Sequence, residues 1–309
     1  MTLINPPLLT HGGTHEARAF RMMVRDLARG SQGVTEGDDL KVRQLSTPAA
    51  GVRVADGSAV IRGAAWGQGS YTQYNVGDAV VPVAPTAASP RSDLVCLRVE
   101  DPEYEGTRNS ETDEIGYFHI VSNVPVSTTI PPGGMTAIPL ARIDIPANTT
   151  VITDSMIKDV RRIANPRRER KLYTAFPGAI STLTYSDDKW HNWPTAARWS
   201  IAVPPWAASV KLVTTIAGLR LSRADVFATM QNVFGTVFGQ DTAVDDDQGT
   251  GIRRNTVVLA DSISIPASIR GTTQILYLQT FMHKIETGDL SVDGATSLVA
   301  DIEFTEGVI

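Results

Sequence analysis

The chain has 309 residues and a mass of 33.3 kDa, 42% of its residues are hydrophobic, and its net charge is −5. At about 150 residues per domain, this length predicts two domains or one large β domain, and the composition excludes wholesale disorder. The mild acidity argues against a general nucleic-acid binder. The sequence contains no run of about 18 uncharged apolar residues, so no membrane span is predicted.

Cysteine and histidine usage argues against most enzyme classes. Cys96 is the one cysteine, which excludes a disulfide framework and a zinc site of several thiolates, and we expect it to pack in a strand. The five histidines are scattered, and no phosphate loop, dinucleotide fingerprint or nucleophile elbow is present. We therefore predict no catalytic residue, no metal and no cofactor. The first residues lack a secretory signal, so we expect synthesis in a cytoplasm.

The first predicted helix covers about residues 15–29 and follows an extended arm. Arg18, Arg21, Arg25 and Arg29 lie mainly on one face of this helix. The opposite face carries four apolar side chains, which we predict to be a subunit interface: Phe20, Met23, Val24 and Leu27. Two interpretations remain open for this helix. Either the apolar face is buried and the basic face solvated, or the basic face docks on an acidic partner subunit.

From Leu40 onward the apolar period changes from 3.6 to 2, which predicts strands. Asp56-Gly57 between two such runs is typical of a tight hairpin. A second helix is predicted over about 155–164, ended by Asn165-Pro166. We therefore predict an N-terminal virion-attachment and assembly domain over 1–165, a basic linker over 166–172, and a C-terminal domain over 173–309.

The C-terminal half alternates short apolar runs with turns. The predicted fold class is mainly β: an N-terminal β-rich domain with two short helices, and a C-terminal antiparallel β-sandwich of jelly-roll type. The segment 224–237 fits either a helix or a strand. The predicted junction has a local charge of about +5. We interpret four of its arginines either as solvated linker charge or as a subunit interface: Arg161, Arg162, Arg167 and Arg168.

Four of the five tryptophans fall between positions 190 and 206. Trp190 and Trp193 lie in a polar stretch with Asp187 and Asp188, and aromatic rings beside carboxylates suit sugar rings. These four residues are the predicted carbohydrate-binding site, and the alternative for the two tryptophans is core packing or subunit contact. We expect Trp199, in a strand-like run, to lie in the core.

Five segments carry a resemblance to structural proteins of tailed-phage tails, of the minor tail, baseplate or tail-fibre type. They are residues 51–61, 71–83, 89–101 (SPRSDLVCLRVED), 138–150 (IPLARIDIPANTT) and 157–162 (IKDVRR). Their order is similar to that of the N-terminal, tail-attaching module of such proteins and covers about residues 35–165. The C-terminal half resembles the β-rich distal modules only in general character.

The resemblance implies a structural protein of the virion tail, assembled in the host cytoplasm and attached to other tail proteins. It also implies a homotrimer whose distal domain binds a host-surface glycan, with no nucleic acid and no membrane insertion. The alternative function is a virion-associated glycan depolymerase or a carbohydrate-binding module. A depolymerase needs two carboxyl groups close together in a cleft, and nothing in the sequence selects such a pair.

Overall fold

The computed structural model describes residues 4, 6–184, 187–283 and 287–309 and is mainly β, with 46% strand and 7% helical residues. The predicted fold class is confirmed at this level. The chain divides into two compact units. Unit 1 comprises the described residues up to Pro166 together with Gly307–Ile309, and unit 2 is Arg167–Glu306.

Unit 1 consists of three small antiparallel sheets around a shared core. The elements are α1 (Ala17–Leu27), β1 (Gly33–Val34), β2 (Val42–Gln44), β3 (Gly51–Val54), β4 (Gly57–Arg62), a 3-10 turn (Trp66–Gln68), β5 (Ser70–Asn75), β6 (Ala79–Pro82), β7 (Arg91–Val99), β8 (Gly116–Val121), β9 (Ala137–Ile145), a 3-10 turn (Asp154–Met156) and β10 (Ile157–Asp159). The sheet orders are β1-β4-β5, β2-β3-β6 and β10-β9-β7-β8. Apolar side chains from all three sheets form one cluster.

The central strand β7 shows how the alternating pattern positions side chains. Val95, Leu97 and Val99 point into the main core of unit 1, whereas Leu94 and Cys96 point into a smaller cluster on the other face. Both faces are covered, so nearly the whole strand is buried. The expectation that Cys96 packs in a strand is therefore confirmed.

The buried thiol leads to a prediction. Cys96 has no exposed surface, and its burial raises the pKa of the thiol to about 12. Because the thiolate is the reactive form, the folded protein is expected to be inert to a thiol reagent such as dithionitrobenzoate at pH 8. In denaturant, one thiol per chain should react. Rapid modification of the native protein would contradict this placement.

Asp56-Gly57 does not make the predicted hairpin. Strand β3 pairs with β2 and β6, whereas β4 pairs with β1 and β5, so the dipeptide carries the chain from one sheet to another. Gly57 has φ +144°, and a Cβ there would lie 2.7 Å from Cα of Asp39. Glycine is thus needed because two backbone segments meet closely, not because of a type I′ turn.

The second predicted helix, over 155–164, is wrong. The structure has a single 3-10 turn at Asp154–Met156 and then β10, which pairs with β9. Ile157 and Ile163 pack against the core of unit 1 from an extended chain. β-Branched residues favour this conformation when a strand edge is free to pair. The first helix is confirmed as α1.

Unit 2 is a sandwich of two sheets. Its elements are β11 (Arg168–Ala175), β12 (Ser181–Leu183), β13 (Trp190–His191), β14 (Arg198–Ala202), β15 (Ala207–Ser222), β16 (Val226–Phe234), β17 (Val237–Phe238), β18 (Thr242–Asp246), β19 (Arg253–Ser264), a 3-10 turn (Ala267–Ile269), β20 (Thr273–Met282), β21 (Asp289–Val292) and β22 (Ser297–Glu306). The segment 224–237, ambiguous in the sequence, is mostly strand β16.

The strand order of unit 2 is that of a jelly roll. Interrupted strands are grouped as A (β11, β12), B (β13, β14), C (β15), D (β16), E (β17, β18), F (β19), G (β20) and H (β21, β22). The pairings then give one sheet A-H-C-F and a second sheet B-G-D-E. Except for the D–E hairpin, each connection passes from one sheet to the other, as in jelly rolls.

The core of unit 2 lies between the two sheets. Strand β22 alternates perfectly, with Leu298, Ala300, Ile302 and Phe304 directed inward. The Phe304 ring lies 6.5 Å from that of Phe234 on the opposite sheet, centroid to centroid. Such interdigitation of two inner faces defines a β-sandwich core.

The boundary between the units differs from the predicted one in two details. The predicted basic linker 166–172 is mostly the beginning of β11, because its charges pair across the strand with acidic residues of β22. Arg170 Nε donates to Asp301 Oδ1 at 2.8 Å, and Arg168 lies 3.8 Å from Glu303. The last three residues, predicted in the C-terminal domain, belong to unit 1, where the Ile309 amide donates to the Gly37 carbonyl.

Candidate functional site

Trp190 lies on strand B at the outer face of the B-G-D-E sheet. Its side chain remains 36% exposed, and its ring centroid is 5.7 Å from that of Phe281 on strand G. The register Trp190↔Phe281 places the two rings side by side on the same face. One member of the predicted carbohydrate site is therefore available to a ligand.

Trp193 is not available, and the expectation of a two-ring platform is corrected. Its side chain is only 4% exposed and belongs to the core of unit 2. Trp193 Nε1 donates to Ser181 Oγ at 3.3 Å, and its carbonyl accepts from Thr280 Oγ1 at 2.9 Å. Buried indole groups are normally hydrogen-bonded in this way, so Trp193 has a packing role. Trp199, 7% exposed, lies in the same core, as predicted.

The predicted carboxylates precede Trp190 in the same segment of the chain. Asp187 Oδ1 is 2.9 Å from His191 Nε2, and this hydrogen bond lowers the pKa of Asp187. An acidic group held ionised cannot be the general acid of a glycosidase, which needs a raised pKa. Asp188 follows at an exposed position with φ +54°. Asp187 therefore does not supply the general acid that hydrolysis requires.

Three residues that the sequence analysis did not single out extend the aromatic surface. Phe281 packs edge-on against His283 at 4.8 Å, and His283 stacks on Phe227 at 4.1 Å with an interplanar angle of 12°. Together with Trp190, these rings run across strands B, G and D, and we call them the aromatic row. They come from segments about 40 to 90 residues apart, so only the sheet register unites them.

Helix α1 has the opposite orientation to an ordinary amphipathic helix, because its basic face packs on unit 1. Arg21 Nε donates to the Gln68 carbonyl at 2.9 Å, and Arg21 Nη2 donates to Glu103 Oε2 at 2.6 Å. The Arg21 guanidinium also lies 5.5 Å from the ring centroids of both Tyr71 and Tyr104. The sequence-based idea of a basic face on an acidic partner subunit is thus wrong for Arg21, whose acidic partner lies in the same unit.

The missing side chain at Gly69 and the ring of Trp66 allow the helix to dock closely. Gly69 has φ +78°, and a Cβ there would come within 2.6 Å of the Arg21 carbonyl carbon. One turn later, the Arg25 guanidinium lies 5.2 Å from the Trp66 ring centroid. These cation–π contacts, about 0.5–2 kcal/mol each, take the place of apolar packing on this face.

The apolar face of α1 consequently points away from the core. Phe20 is 44% exposed and Leu27 is 72% exposed, while Met23 and Val24 are half-buried. The N-terminal arm lies next to this face, and together they line an open groove with Leu9, Met22 and Met23 among its residues. We call this face and the adjoining arm the apolar helix surface. All four helix residues predicted as an interface are therefore at or near the surface.

The four predicted junction arginines separate into different environments. The Arg161 side chain is fully buried in unit 1, where it pairs with Asp159, so it cannot be an interface residue. Arg167 pairs with Glu306 inside unit 2. Arg162 and Arg168 are exposed. The local excess of positive charge is thus largely neutralised within the units.

Metal-ligating side chains do not cluster in the described part of the chain. In residues 4, 6–184, 187–283 and 287–309, no group of three or more His, Cys, Asp or Glu side chains is placed to hold a metal ion. Of the helices in these same ranges, none combines the length and apolar character that crossing a bilayer requires.

Comparison with known proteins gives a weak result. No family model matches the chain, and no curated protein matches it. Among solved structures, infectious bursal disease virus of the Gx strain aligns over 90% of this chain and 80% of that chain, with 14% identity and a TM-score of 0.27. The VP2 subviral particle of the same virus aligns over 90% and 75%, with 12% identity and a TM-score of 0.26.

A further match is the insecticidal delta-endotoxin Cry8Ea1 from Bacillus thuringiensis, over 89% of this chain and 54% of that one. Its identity is 8% and its TM-score is 0.25. Similarities this low carry no argument about the fold or function of this chain. The jelly-roll assignment rests on the strand order of unit 2 alone.

Proposed function

We propose that this protein is a structural subunit of a phage tail, which assembles with further subunits through the apolar helix surface of unit 1. The observation that carries the proposal is the inverted helix α1. A helix that directs an arginine face inward and an apolar face outward leaves Phe20 and Leu27 in water in the isolated chain. Contiguous exposed apolar surface of this kind is characteristic of subunit contacts.

The energetic argument favours a protein partner for this surface. Burying apolar side chains such as Leu27 and Phe20 contributes about 1.5–3 kcal/mol each, more than the 0–1 kcal/mol of an exposed ion pair. The adjoining arm, with Leu9 78% exposed, enlarges the apolar area. A second copy of the chain is the partner we propose, in a closed cyclic assembly such as a homotrimer.

The location in a tail is supported by the sequence resemblance over about residues 35–165, which lies within unit 1. We propose accordingly that unit 1 attaches the chain to the tail and that unit 2 is the distal module. In this proposal the protein is structural, not an enzyme. Gold-labelled antibodies on purified particles should mark the tail, and labelling of the capsid shell would contradict the location.

Self-association can be measured directly by light scattering on the purified full chain. We expect the wild-type mass to correspond to about three chains at micromolar concentration. Leu27→Asp should shift the mass toward one chain, because a charge at the centre of an apolar contact is costly to desolvate. Val76→Asp is the matched control: Val76 is an equally aliphatic residue of unit 1, 96% exposed in the loop between β5 and β6.

Two results would contradict the proposed assembly. One is a wild-type protein that remains monomeric throughout the micromolar range. The other is an equal effect of Leu27→Asp and Val76→Asp on the measured mass, which would show that the apolar helix surface does not form the contact between copies. Thermal melting of both variants should match that of the wild-type chain under conditions in which it is monomeric, since neither residue is buried within unit 1.

A further inference from the structure

A row of carboxamide side chains runs beside the aromatic row on the outer face of the B-G-D-E sheet. Gln279 Nε2 on strand G donates to Asn192 Oδ1 at 2.9 Å, and Gln231 Nε2 on strand D donates to Gln279 Oε1 at 3.1 Å. Gln231 is only 6% exposed, so its hydrogen bond holds the Gln279 side chain in place, whereas Asn192 is exposed. We call these three residues the amide row.

The strand register places the two rows next to each other. Residues two apart on a strand share a face, so Phe281 and Gln279 are neighbours on strand G, about 6–7 Å apart along it. Trp190 and Asn192 are separated by the same number of residues at the edge strand. The face therefore presents ring surfaces and hydrogen-bonding groups side by side, at the spacing of two residues along a strand.

The amide row is bonded internally but retains donors. A carboxamide nitrogen carries two hydrogens, and Gln279 uses one of them on Asn192. The Asn192 amide nitrogen is not the atom used in that contact, because its carbonyl oxygen accepts. The network thus fixes the side chains while leaving donor groups for a ligand, which reduces the entropy lost on binding.

The charge at the margins of this face is low and mixed. Arg198 stacks over Tyr277 at 5.7 Å from the ring centroid, and Asp245 lies opposite Phe227 on strand E. Asp187, near Trp190, is hydrogen-bonded to His191. Polyanions such as nucleic acids need a cluster of cations in addition to stacking rings, and this combination of charges does not provide one.

We propose that the aromatic row and the amide row form a binding site for a neutral oligosaccharide. A pyranose has an apolar face that packs on a ring, here Trp190 and Phe281, and a rim of hydroxyl groups that pair with carboxamides such as Gln279 and Asn192. Trp193, Asp187 and Asp188 are not part of this contact surface. The site does not depend on the proposed assembly through unit 1.

The test uses the full-length protein and a defined set of probes. Isothermal titration calorimetry would be run with maltohexaose, cellohexaose, laminarihexaose and chitohexaose as neutral probes, and with a heparin hexasaccharide and oligo-dT as charged probes. We expect binding of at least one neutral probe and of neither charged one. Trp190→Ala and Gln279→Ala should each weaken that binding about fivefold to tenfold, the factor that about 1–1.4 kcal/mol represents.

Two further variants make the result specific. Phe176→Ala is the matched control, because Phe176 is an exposed aromatic residue that follows strand β11 of the opposite sheet, and binding should be unchanged. Trp190→Phe keeps a ring at the position and should retain most of the affinity. Melting temperatures would show that the variants remain folded.

The proposal is overturned if none of the four neutral probes binds, if a charged probe binds at this face instead, or if Trp190→Ala and Gln279→Ala bind like the wild type. A loss of binding in Phe176→Ala would equally overturn it. None of these outcomes affects the light-scattering test, so the failure of the saccharide site and of the proposed assembly can be distinguished.

Discussion

Replacing Trp193 by alanine is expected to lower the free energy of unfolding of unit 2 by about 3–5 kcal/mol, the usual cost of deleting a large buried aromatic side chain. The indole is 4% exposed, and its removal leaves both a cavity in the sandwich core and the Ser181 hydroxyl without its donor. Differential scanning calorimetry of the full chain would measure the change.

Trp190→Ala is the matched control for this prediction, because the two tryptophans lie three residues apart in the same segment. The Trp190 side chain is 36% exposed and its main ring contact is Phe281. Its loss should cost about 0.5–1.5 kcal/mol, the range for an aromatic pair. Equal destabilisation by the two substitutions would contradict the assignment of one ring to the core and the other to the surface.

Replacing Arg161 by alanine is expected to destabilise unit 1 by about 2–4 kcal/mol, close to the cost of breaking a buried ion pair. The guanidinium donates to both Asp159 carboxylate oxygens and to the carbonyls of Asp39 and Ile309. Its removal therefore leaves several acceptors unsatisfied at once. The Asp159 side chain is 35% exposed and can recover water. The expected cost is therefore somewhat below the usual cost of breaking a buried ion pair.

The neighbouring Arg162 provides the control, since the sequence predicts both residues as interface positions. Arg162 is exposed, and Arg162→Ala should change the stability of unit 1 by less than about 0.5 kcal/mol. Calorimetry of both variants at equal protein concentration would separate the two roles. If Arg161→Ala melts like the wild type but loses oligomers, Arg161 acts in assembly, contrary to the structure.

The parts of the fold that follow from local patterns were predictable. Strand β22 alternates between half-buried and buried residues along its whole length, so its inward residues stand at every second position of the sequence. The predicted Asp56-Gly57 hairpin and the predicted second helix are wrong, and local sequence patterns could not have revealed this. A Gly at close backbone approach looks like a Gly in a turn, and the spacing of Ile157 and Ile163 also suits an extended chain that packs on a core.

Of the two tryptophans in the predicted carbohydrate site, one is exposed and the other is buried, for a reason visible in the sequence. Trp190 and Trp193 are an odd number of residues apart, so in an extended segment their side chains point to opposite faces. Recognising strand β13 would have separated them. Phe281 and Gln279, in contrast, lie about 90 residues away and only the B–G register brings them to Trp190.

The orientation of α1 could not be predicted from its own residues. Its amphipathic pattern suggests that the apolar stripe is buried, and this is the usual outcome. The pattern is overridden because Glu103 and two tyrosines, from strands and loops far along the chain, surround Arg21. Tertiary context decides which face of a helix is buried when both faces have a good partner.

Unit 2 begins and ends at adjacent positions, where the Arg167 amide donates to the Glu306 carboxylate and the Glu306 amide donates to the Arg167 carbonyl. Unit 2 is therefore an insertion within unit 1, whose last residues follow it in the chain. A foreign domain with its termini about 5 Å apart, the distance between paired strands, could replace it through the same two junctions. The genetic arrangement thus permits exchange of unit 2 while every residue of unit 1 is kept.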